Sequence, residues 1–285
     1  NLLLIRYKLF VVILFVTKLT IFIKKNMKYK NLHKQYFYLI IVSVASLLVT
    51  NCAPKKYTNT KINTSYIEVA NTVETNNDID AFLKPYRDHI TNDLSKVLAY
   101  NPQDLDKASE RWQNPMTNFY ADAIFEIATP VFEQQTGKKI DFCLLNYGGI
   151  RATIAKGNIT TRTAYDIMPF ENNAIVLGLK GETVYELANF IISNKVAHPL
   201  SGIEIFVDKN QLIKDIKINN QSIDKNKTYY VITNDYLAKG GDKMDFLLKS
   251  TENYSLDYKL RNMFISYFTK IDTLHPSVKP RIIFE

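Results

Sequence analysis

The sequence predicts a single mixed α/β (α+β) domain over residues 66–285, with a mixed β-sheet flanked by helices. Three short apolar runs rich in Ile, Val, Leu and aromatic residues are typical of buried strands: Ile140–Leu145, Ala174–Leu179 and Thr228–Thr233. Segments with helical periodicity lie before, between and after these runs. Since 46% of the residues are hydrophobic, the chain can bury a core of this size.

Two helices are predicted before the first buried strand. Asn77 or Asp78 can cap the first helix, and its apolar stripe is expected to face the core: Ile79, Phe82, Leu83, Tyr86, Ile90, Leu94, Val97 and Leu98. The second helix covers about Met116–Gln135, and Gly137 is a natural stop. Its apolar side is formed by Phe119, Ala123, Phe125, Ile127 and Val131.

The remaining elements follow the same reasoning. Residues 153–167 are short and irregular, with a turn at Gly157 and a possible cap at Thr161 or Thr163. Gly181 introduces a third helix, Glu182–Asn194, and a closing helix covers about Tyr258–Thr269. Alternating apolar and polar residues predict two further strands, followed by a turn: Ile203–Val207, Ile213–Ile218 and Asn219–Asn220.

The N-terminal part of the chain resembles targeting sequence. After Met27, residues 27–51 combine lysines with an apolar stretch, Tyr36–Val49, that is too short for a comfortable membrane span. The stretch ends at Leu48-Val49-Thr50-Asn51-Cys52, which resembles the lipobox of bacterial lipoproteins and predicts lipid on Cys52. A plain secretory signal or an uncleaved anchor are the alternatives.

Two flanking segments complete this prediction. Residues 1–26 form a second apolar, Lys-bearing run, which we expect to be upstream sequence translated from a misplaced start; an extra membrane segment is the alternative. Residues 52–65 are predicted to be a flexible tether. The expected location is therefore the bacterial cell envelope, with a membrane attachment through the lipid anchor.

The formal net charge of +8 does not indicate a nucleic-acid partner. Residues 1–51 hold eight Lys or Arg and no acidic residue, so subtracting them from the total of 36 leaves 28 basic against 28 acidic residues. A basic patch therefore has no support in the domain itself. Of the two cysteines, Cys143 lies in an apolar strand and is expected to be an inert core thiol.

Two predicted strands run into loops with a Gly pair, Asn146–Arg151 and Asn234–Asp242. Ligand sites favour a sheet rim at which such loops meet. The candidate site residues there are Asn146, Gly148, Arg151, Phe170, Tyr236 and Asp242. Two rings, a carboxylate and an Arg suit a nucleoside with a phosphate, since rings stack on bases and Arg pairs with phosphate. Strand-ending turns and ordinary aromatic packing are the alternatives.

Four segments together resemble the C-terminal domain of the 5'-nucleotidase family, in one unbroken order over about residues 77–285: Asn146–Arg151, Tyr165–Asn172, Leu179–Gly181 and Asn234–Asp242. The resemblance implies that Phe170 and Tyr236 stack on a base, with Tyr236 at a place that the family often fills with Phe. It implies that Asp242 binds ribose. Asn146 and the Gly148 backbone would line the base or sugar side.

The resemblance also implies a phosphate contact by Arg151 and a second cation ahead of the second helix. Arg111 is the nearest candidate for that cation, although the alignment places Trp112 at about its position.

Enzymes of this family carry a metallophosphoesterase domain in which two metal ions activate water. Nothing in this sequence resembles its motifs, and four scattered histidines lack metal-ligand spacing: His33, His89, His198 and His275. We therefore expect no catalytic residue, metal or cofactor in this chain. A separate metallophosphoesterase chain would supply divalent metals and water, so this chain would be inactive alone and would recognise the nucleotide. The alternatives are a non-catalytic nucleotide-binding lipoprotein and a degenerate scaffold.

Overall fold

The computed structural model describes residues 61–66 and 76–285, together with positions 17, 18, 21, 39 and 43. The chain divides into two units, Asn1–Val73 and Glu74–Glu285, and the fold below is that of the second. Most of the predicted signal and the predicted lipid site at Cys52 lie outside the described residues. Within the described ranges, no helix has both the length and the apolar content needed to span a bilayer.

Residues 76–285 form helices and strands in mixed order. The α-helices are α1 (Asn77–Ser95), α2 (Pro115–Thr136), α3 (Thr161–Ile167), α4 (Gly181–Asn194) and α5 (Leu260–Lys270). The strands are β1 (Val97–Asn101), β2 (Phe142–Leu144), β3 (Gly157–Thr160), β4 (Asn173–Lys180), β5 (Leu200–Ser201), β6 (Ile203–Val207), β7 (Ile213–Ile218), β8 (Gln221–Ser222), β9 (Thr228–Asn234), β10 (Glu252–Lys259) and β11 (Ile282–Phe284).

The described strands are divided among three sheets. The central five-stranded sheet has the order β10-β4-β9-β2-β5, in which only β2 and β9 run parallel. A four-stranded sheet has the order β11-β6-β7-β8, and β1 pairs with β3. The predicted mixed α/β class with helix-flanked mixed sheets is confirmed. The segment between residues 153 and 167, predicted to be irregular, contains β3 and α3.

The central sheet is buried on both faces. In β2, Phe142 and Leu144 belong to the core cluster that includes α4, whereas Cys143 belongs to the cluster that includes α2 and α5. Strands that are covered on both faces read as continuous apolar runs, which explains why the sequence signal was strong. The predicted core thiol is confirmed, because Cys143 is fully buried and burial raises its pKa.

Helix α2 closes one face of this sheet; its bounds lie within one residue of the predicted ones and the stop at Gly137 is confirmed, whereas its cap, Asn114, was not predicted. The side chain of Asn114 accepts the Thr117 N–H at 2.9 Å, and Gly137 caps the other end in the left-handed conformation, with φ of 71°. The predicted apolar side is partly right: Phe119 and Ala123 are buried. The others are only half-buried, and the fully buried face also includes Tyr120, Ile124, Ala128 and Phe132.

The expectation that the apolar stripe of the first predicted helix faces the core is wrong for α1, and the last two residues of that stripe, Val97 and Leu98, lie in β1 instead. No residue of α1 is buried, and five apolar side chains are between 43% and 67% exposed: Ile79, Phe82, Leu83, Tyr86 and Ile90. The helix is joined to the rest of the unit at its C-terminal end, where the Thr161 N–H donates to the Lys96 carbonyl at 3.0 Å. Periodicity indicates an apolar face but not what covers it. Asn76 provides the cap instead of Asn77 or Asp78.

The start of α4 is a close approach between two chain segments. The Gly181 N–H donates to the Lys227 carbonyl at 2.9 Å, and a Cβ at Gly181 would lie 2.1 Å from the Asp224 carbonyl oxygen. A residue with a Cβ would collide with the Asp224 backbone, so the chain requires glycine where the predicted helix begins.

Replacing Gly181 with Ala is expected to lower the free energy of unfolding by about 1–3 kcal/mol, because the new methyl group forces backbone against backbone. Denaturant unfolding followed by circular dichroism measures the change. Glu182→Ala, at the next and exposed residue, is the matched control and should change stability by less than about 1 kcal/mol. Equal stability of Gly181→Ala and the wild-type protein would contradict the packing described.

Candidate functional site

The site begins where the two parallel strands of the central sheet end. Asn146 follows β2, and Asn234 is the last residue of β9. The Asn234 side-chain amide donates to Asn146 Oδ1 at 3.1 Å, and both side chains are buried. Asn234 Oδ1 in turn accepts the Leu237 N–H at 2.8 Å. The two loops are therefore held side by side at one edge of the sheet.

A cavity of about 360 Å³ opens at this edge. It is lined by Asn146, Gly148, Gly149, Arg151, Met168, Phe170, Asn172, Tyr236 and Asp242. These residues come from three segments: the loop after β2, the residues after α3, and the loop after β9. The structure thus brings together six of the seven residues proposed from the sequence, and Arg111 is the exception.

Two aromatic rings of the cavity have free surface. Phe170 is 42% exposed and Tyr236 is 45% exposed. Within residues 76–285 neither ring stacks on another aromatic side chain, although the Arg151 guanidinium lies 5.8 Å from the Phe170 ring centre. The Tyr236 ring packs against the backbone at Gly241, where a Cβ would be only 2.6 Å away. Such rings can stack on a planar apolar ligand.

Asp242 is held by Tyr236. The Tyr236 hydroxyl donates to Asp242 Oδ1 at 2.8 Å and accepts the Asp242 N–H at 3.1 Å. The hydrogen bond to Asp242 raises the pKa of Tyr236. Asp242 itself has φ of 54°, a left-handed conformation that Asp tolerates better than most residues. These contacts fix a carboxylate at the mouth of the cavity.

Two cations lie together at the other side of the loop after β2. The backbone N–H of Arg151 donates to the Ile167 carbonyl at 3.0 Å, and the Arg151 side chain is exposed. Lys107 Nζ donates to the Ile150 carbonyl at 2.6 Å and lies 4.4 Å from the Tyr147 ring centre. Burial, followed by the nearby charge of Arg151, lowers the pKa of Lys107. Lys107 is a cation beside Arg151 that sequence reasoning missed.

Arg111 is not brought to the cavity. It is exposed in the segment before α2, while the neighbouring Trp112 turns inward and packs on Phe284 at 4.8 Å between ring centres. The Trp112 indole N–H also donates to the Ile192 carbonyl at 3.4 Å. Arg111 was predicted because of its nearness in sequence to the family position, whereas the cation of this region that lies beside Arg151 is Lys107.

Arg261 of α5 supports the segment that carries Phe170. Its guanidinium donates to the Pro169 carbonyl at 3.2 Å, pairs with Glu171 and lies 4.1 Å from the Tyr165 ring centre. The hydrogen bond from Arg261, followed by the Arg261 charge, lowers the pKa of Glu171. Arg261 is only 6% exposed. No sequence signal singled it out, because Arg261 lies next to other polar residues, Lys259 and Asn262, at the start of the closing helix.

His198 supports the loop after β2 from inside the protein. It is buried, its ring lies 6.0 Å from that of Phe190, and Nδ1 accepts the Tyr147 N–H at 3.3 Å. Burial lowers the pKa of His198 to about 4, against the opposing effects of Asp242 and the Leu145 backbone. The imidazole is therefore neutral at pH 7 and serves as an acceptor. Its position in a loop setting before Pro199 gave no hint of this role.

In the part of the chain that the structure describes, no cluster of three or more His, Cys, Asp or Glu side chains has an arrangement suited to a metal ion. The cavity is instead lined by two aromatic rings, one carboxylate, side-chain amides and an Arg.

The fold and the site define an α/β domain with a polar and aromatic cavity at the end of a parallel strand pair. The family described as "5'-nucleotidase, C-terminal domain" matches residues 91–249, more than half of the chain. The chain belongs to this family.

Individual proteins agree with this assignment. The trifunctional nucleotide phosphoesterase protein YfkN of Bacillus subtilis is 27% identical over 240 residues, covering 78% of this chain and 16% of YfkN. Protein UshA of Yersinia enterocolitica is 26% identical over 151 residues, covering 51% of this chain and 28% of UshA.

Among solved structures, the 5'-nucleotidase precursor from Thermus thermophilus shares the fold, with a TM-score of 0.59 and 23% identity. The match covers 72% of this chain and 42% of that protein. The chain therefore spans less than half the length of each of these three relatives.

The state of His198 predicts a pH dependence of stability. Its pKa falls from 6.5 to about 4 on folding, so between these pH values the unfolded chain binds a proton that the folded chain does not. The contribution of the neutral His198 to the free energy of unfolding is therefore fully present above about pH 6.5. This contribution, on the order of 3 kcal/mol, is lost as the pH falls towards 4. Urea unfolding at a series of pH values measures this.

His198→Asn should remove this part of the pH dependence while the amide oxygen retains an acceptor for Tyr147. His89→Gln, at an exposed position on α1, is the control and should leave the dependence as in the wild-type protein. The same slope in His198→Asn and in the wild-type protein would exclude His198 as its source.

Proposed function

We propose that this chain is the nucleotide-recognising part of a 5'-nucleotidase-type phosphoester hydrolase that acts in nucleotide catabolism. A separate metallophosphoesterase chain would supply the metal ions and the catalytic water. The observation that carries the proposal is the cavity itself, in which two exposed rings lie with a carboxylate and a neighbouring Arg. The family assignment and the nucleotide phosphoesterase among the relatives support it.

Each part of a nucleotide has a chemically suitable partner in the cavity. Phe170 and Tyr236 would stack on the base, at about 1–3 kcal/mol per contact. Asp242 would accept a hydrogen bond from the ribose. Asn146 and the Gly148 backbone would line the base or sugar side. Stacking does not depend on base identity, so these contacts alone favour nucleotides as a class over one particular base.

The phosphate would lie at the cation pair. Arg151 is permanently charged and offers a planar set of donors that matches phosphate oxygens. Lys107 adds a second positive charge on the same side, and its Nζ is already positioned by the Ile150 carbonyl. Neither Lys107 nor Arg111 lines the cavity. Lys107 is included because it donates to the loop after β2 beside Arg151, whereas Arg111 is exposed in the segment before α2 and is not included.

The described residues offer no set of ligands for a metal pair, so no metal-dependent step is assigned to this chain. When bound in the partner, the metals would activate water. What this chain's residues would do is bind base and ribose and thereby place the phosphate for attack. Binding energy from such remote groups is what brings the reacting centre into position.

The proposal extends to location. Residues 27–52 support a lipid-anchored chain at the bacterial cell envelope, with Cys52 as the modified residue. Radiolabelled palmitate would be incorporated by the wild-type chain in bacteria, and Cys52→Ala would abolish the label. Equal labelling of the two would overturn this part.

Substitutions in the cavity should distinguish the contacts made to the base from those made to the phosphate. Phe170→Ala is expected to weaken binding of both adenosine and AMP by about 1–3 kcal/mol, because a stacking contact is lost. Arg151→Ala should weaken AMP by roughly tenfold while changing adenosine little, because only AMP carries the phosphate. Isothermal titration calorimetry on the full chain measures both affinities.

The matched control for Arg151→Ala is Arg111→Ala, which removes the same charge outside the cavity and should leave both affinities unchanged. If Phe170→Ala and Arg151→Ala bind like the wild-type protein, the cavity is not the nucleotide site. If the wild-type protein binds neither ligand, the proposed function is wrong.

Hydrolysis should require two chains. The chain alone, incubated with divalent metal, is expected to release no phosphate from AMP or UDP-glucose, and release should begin when a candidate metallophosphoesterase chain is co-expressed. Phe170→Ala should then raise KM in the mixture. Turnover by the isolated, metal-loaded chain would refute the division of labour. Nucleotide binding without turnover in the mixture would favour a non-catalytic binding lipoprotein.

A further inference from the structure

The two oxygens of the Asp242 carboxylate are in different situations. Oδ1 accepts the Tyr236 hydroxyl at 2.8 Å. The same hydroxyl accepts the Asp242 N–H at 3.1 Å, so its oxygen faces the backbone and its proton is directed at Oδ1. One carboxylate oxygen is therefore occupied by the protein itself.

Oδ2 remains available. Within residues 76–285, no protein donor makes a hydrogen bond to this oxygen. It faces the loop after β2, where a Cβ at Gly148 would lie 3.8 Å from Oδ2 and 3.7 Å from the Asn146 amide nitrogen. Both residues line the cavity. A ligand in the cavity would thus meet Oδ2.

A ribose presents two neighbouring hydroxyl donors, and a carboxylate with two free oxygens can accept one on each. In Asp242 only Oδ2 is free of protein donors among residues 76–285; on Oδ1 one of the two lone pairs accepts the Tyr236 hydroxyl, which weakens this oxygen as an acceptor for a second donor. Resting on the nucleotide site proposed above, we infer that Asp242 recognises one ribose hydroxyl through Oδ2, while the Tyr236 bond makes Oδ1 the poorer acceptor for the other hydroxyl. The substrate class would then include nucleotides that lack one of the two hydroxyls, and Tyr236 determines this tolerance.

The bond between Tyr236 and Asp242 resists displacement by a ligand. It joins two residues of one loop, so its formation requires no association, whereas a ligand hydroxyl must be ordered before it can replace it. The bond is also charge-assisted, which makes it stronger than one between neutral groups. The Tyr236 ring in turn is held against the Gly241 backbone.

Tyr236→Phe tests the inference, because it frees Oδ1 and keeps the ring. The full chain would be titrated with AMP, 2'-deoxy-AMP and 3'-deoxy-AMP, and with the matching uridine series. For the wild-type protein, one deoxy analogue should bind within about threefold of the ribonucleotide and the other roughly tenfold more weakly. For Tyr236→Phe, both deoxy analogues should bind roughly tenfold more weakly than the ribonucleotide.

The ratios between the affinities for the ribonucleotide and for its two deoxy analogues distinguish a role of Tyr236 in ribose recognition from a purely structural role in its loop. A uniform loss of affinity in Tyr236→Phe with unchanged ratios would overturn the inference. So would a wild-type protein that discriminates against both deoxy analogues, or against neither. Tyr100→Phe, at a similarly exposed Tyr on β1 (42%), is the control and should keep the wild-type ratios. Absence of binding for every nucleotide would instead remove the proposed function.

Discussion

The hydrogen bond between the side chains of Asn146 and Asn234 is the contact on which the geometry of the cavity depends. It joins the ends of the only two parallel strands of the central sheet. Buried amides must find partners, and here the Asn234 amide donates to Asn146 Oδ1 while the Asn234 side-chain oxygen accepts the Leu237 N–H. Every lining residue from either loop is positioned relative to this pair. Loss of one amide would leave the other buried without its partner, and the two loops would no longer be joined by a side-chain hydrogen bond.

The sequence was most informative where burial on both sides leaves no ambiguity. The buried strands, the second helix with its terminal glycine, and the two strand-ending loops were all predicted because each depends on local chemistry. β6 and β7 were predicted with their observed bounds. Short strands such as β5 and β8 were missed, since two residues carry no periodicity. The resemblance of four segments to the family selected six residues that line one cavity in the structure. Spacing alone did not decide whether these residues form a site.

The three supporting residues of the site that the sequence missed share one physical cause. Lys107, His198 and Arg261 act through backbone carbonyls or N–H groups that belong to distant parts of the chain. Such contacts have no motif, because any residue supplies the backbone partner. The stripe of α1 was misjudged for the related reason that a pattern on one helix says nothing about its neighbours. Arg111 was chosen by position along the chain, although the turn of Trp112 into the core directs the segment differently.

The close packing of Tyr236 on Gly241 has a consequence for the cost of binding. Because the ring already rests against backbone before any ligand arrives, its rotamers are restricted in the free protein. A ligand that stacks on it would not have to immobilise it, and the usual loss of side-chain entropy, about 0.5–1.5 kcal/mol, would be avoided. Gly241 would thus affect the affinity for a stacking ligand without contacting that ligand. A side chain at this position would displace the ring and make the surface for stacking transient.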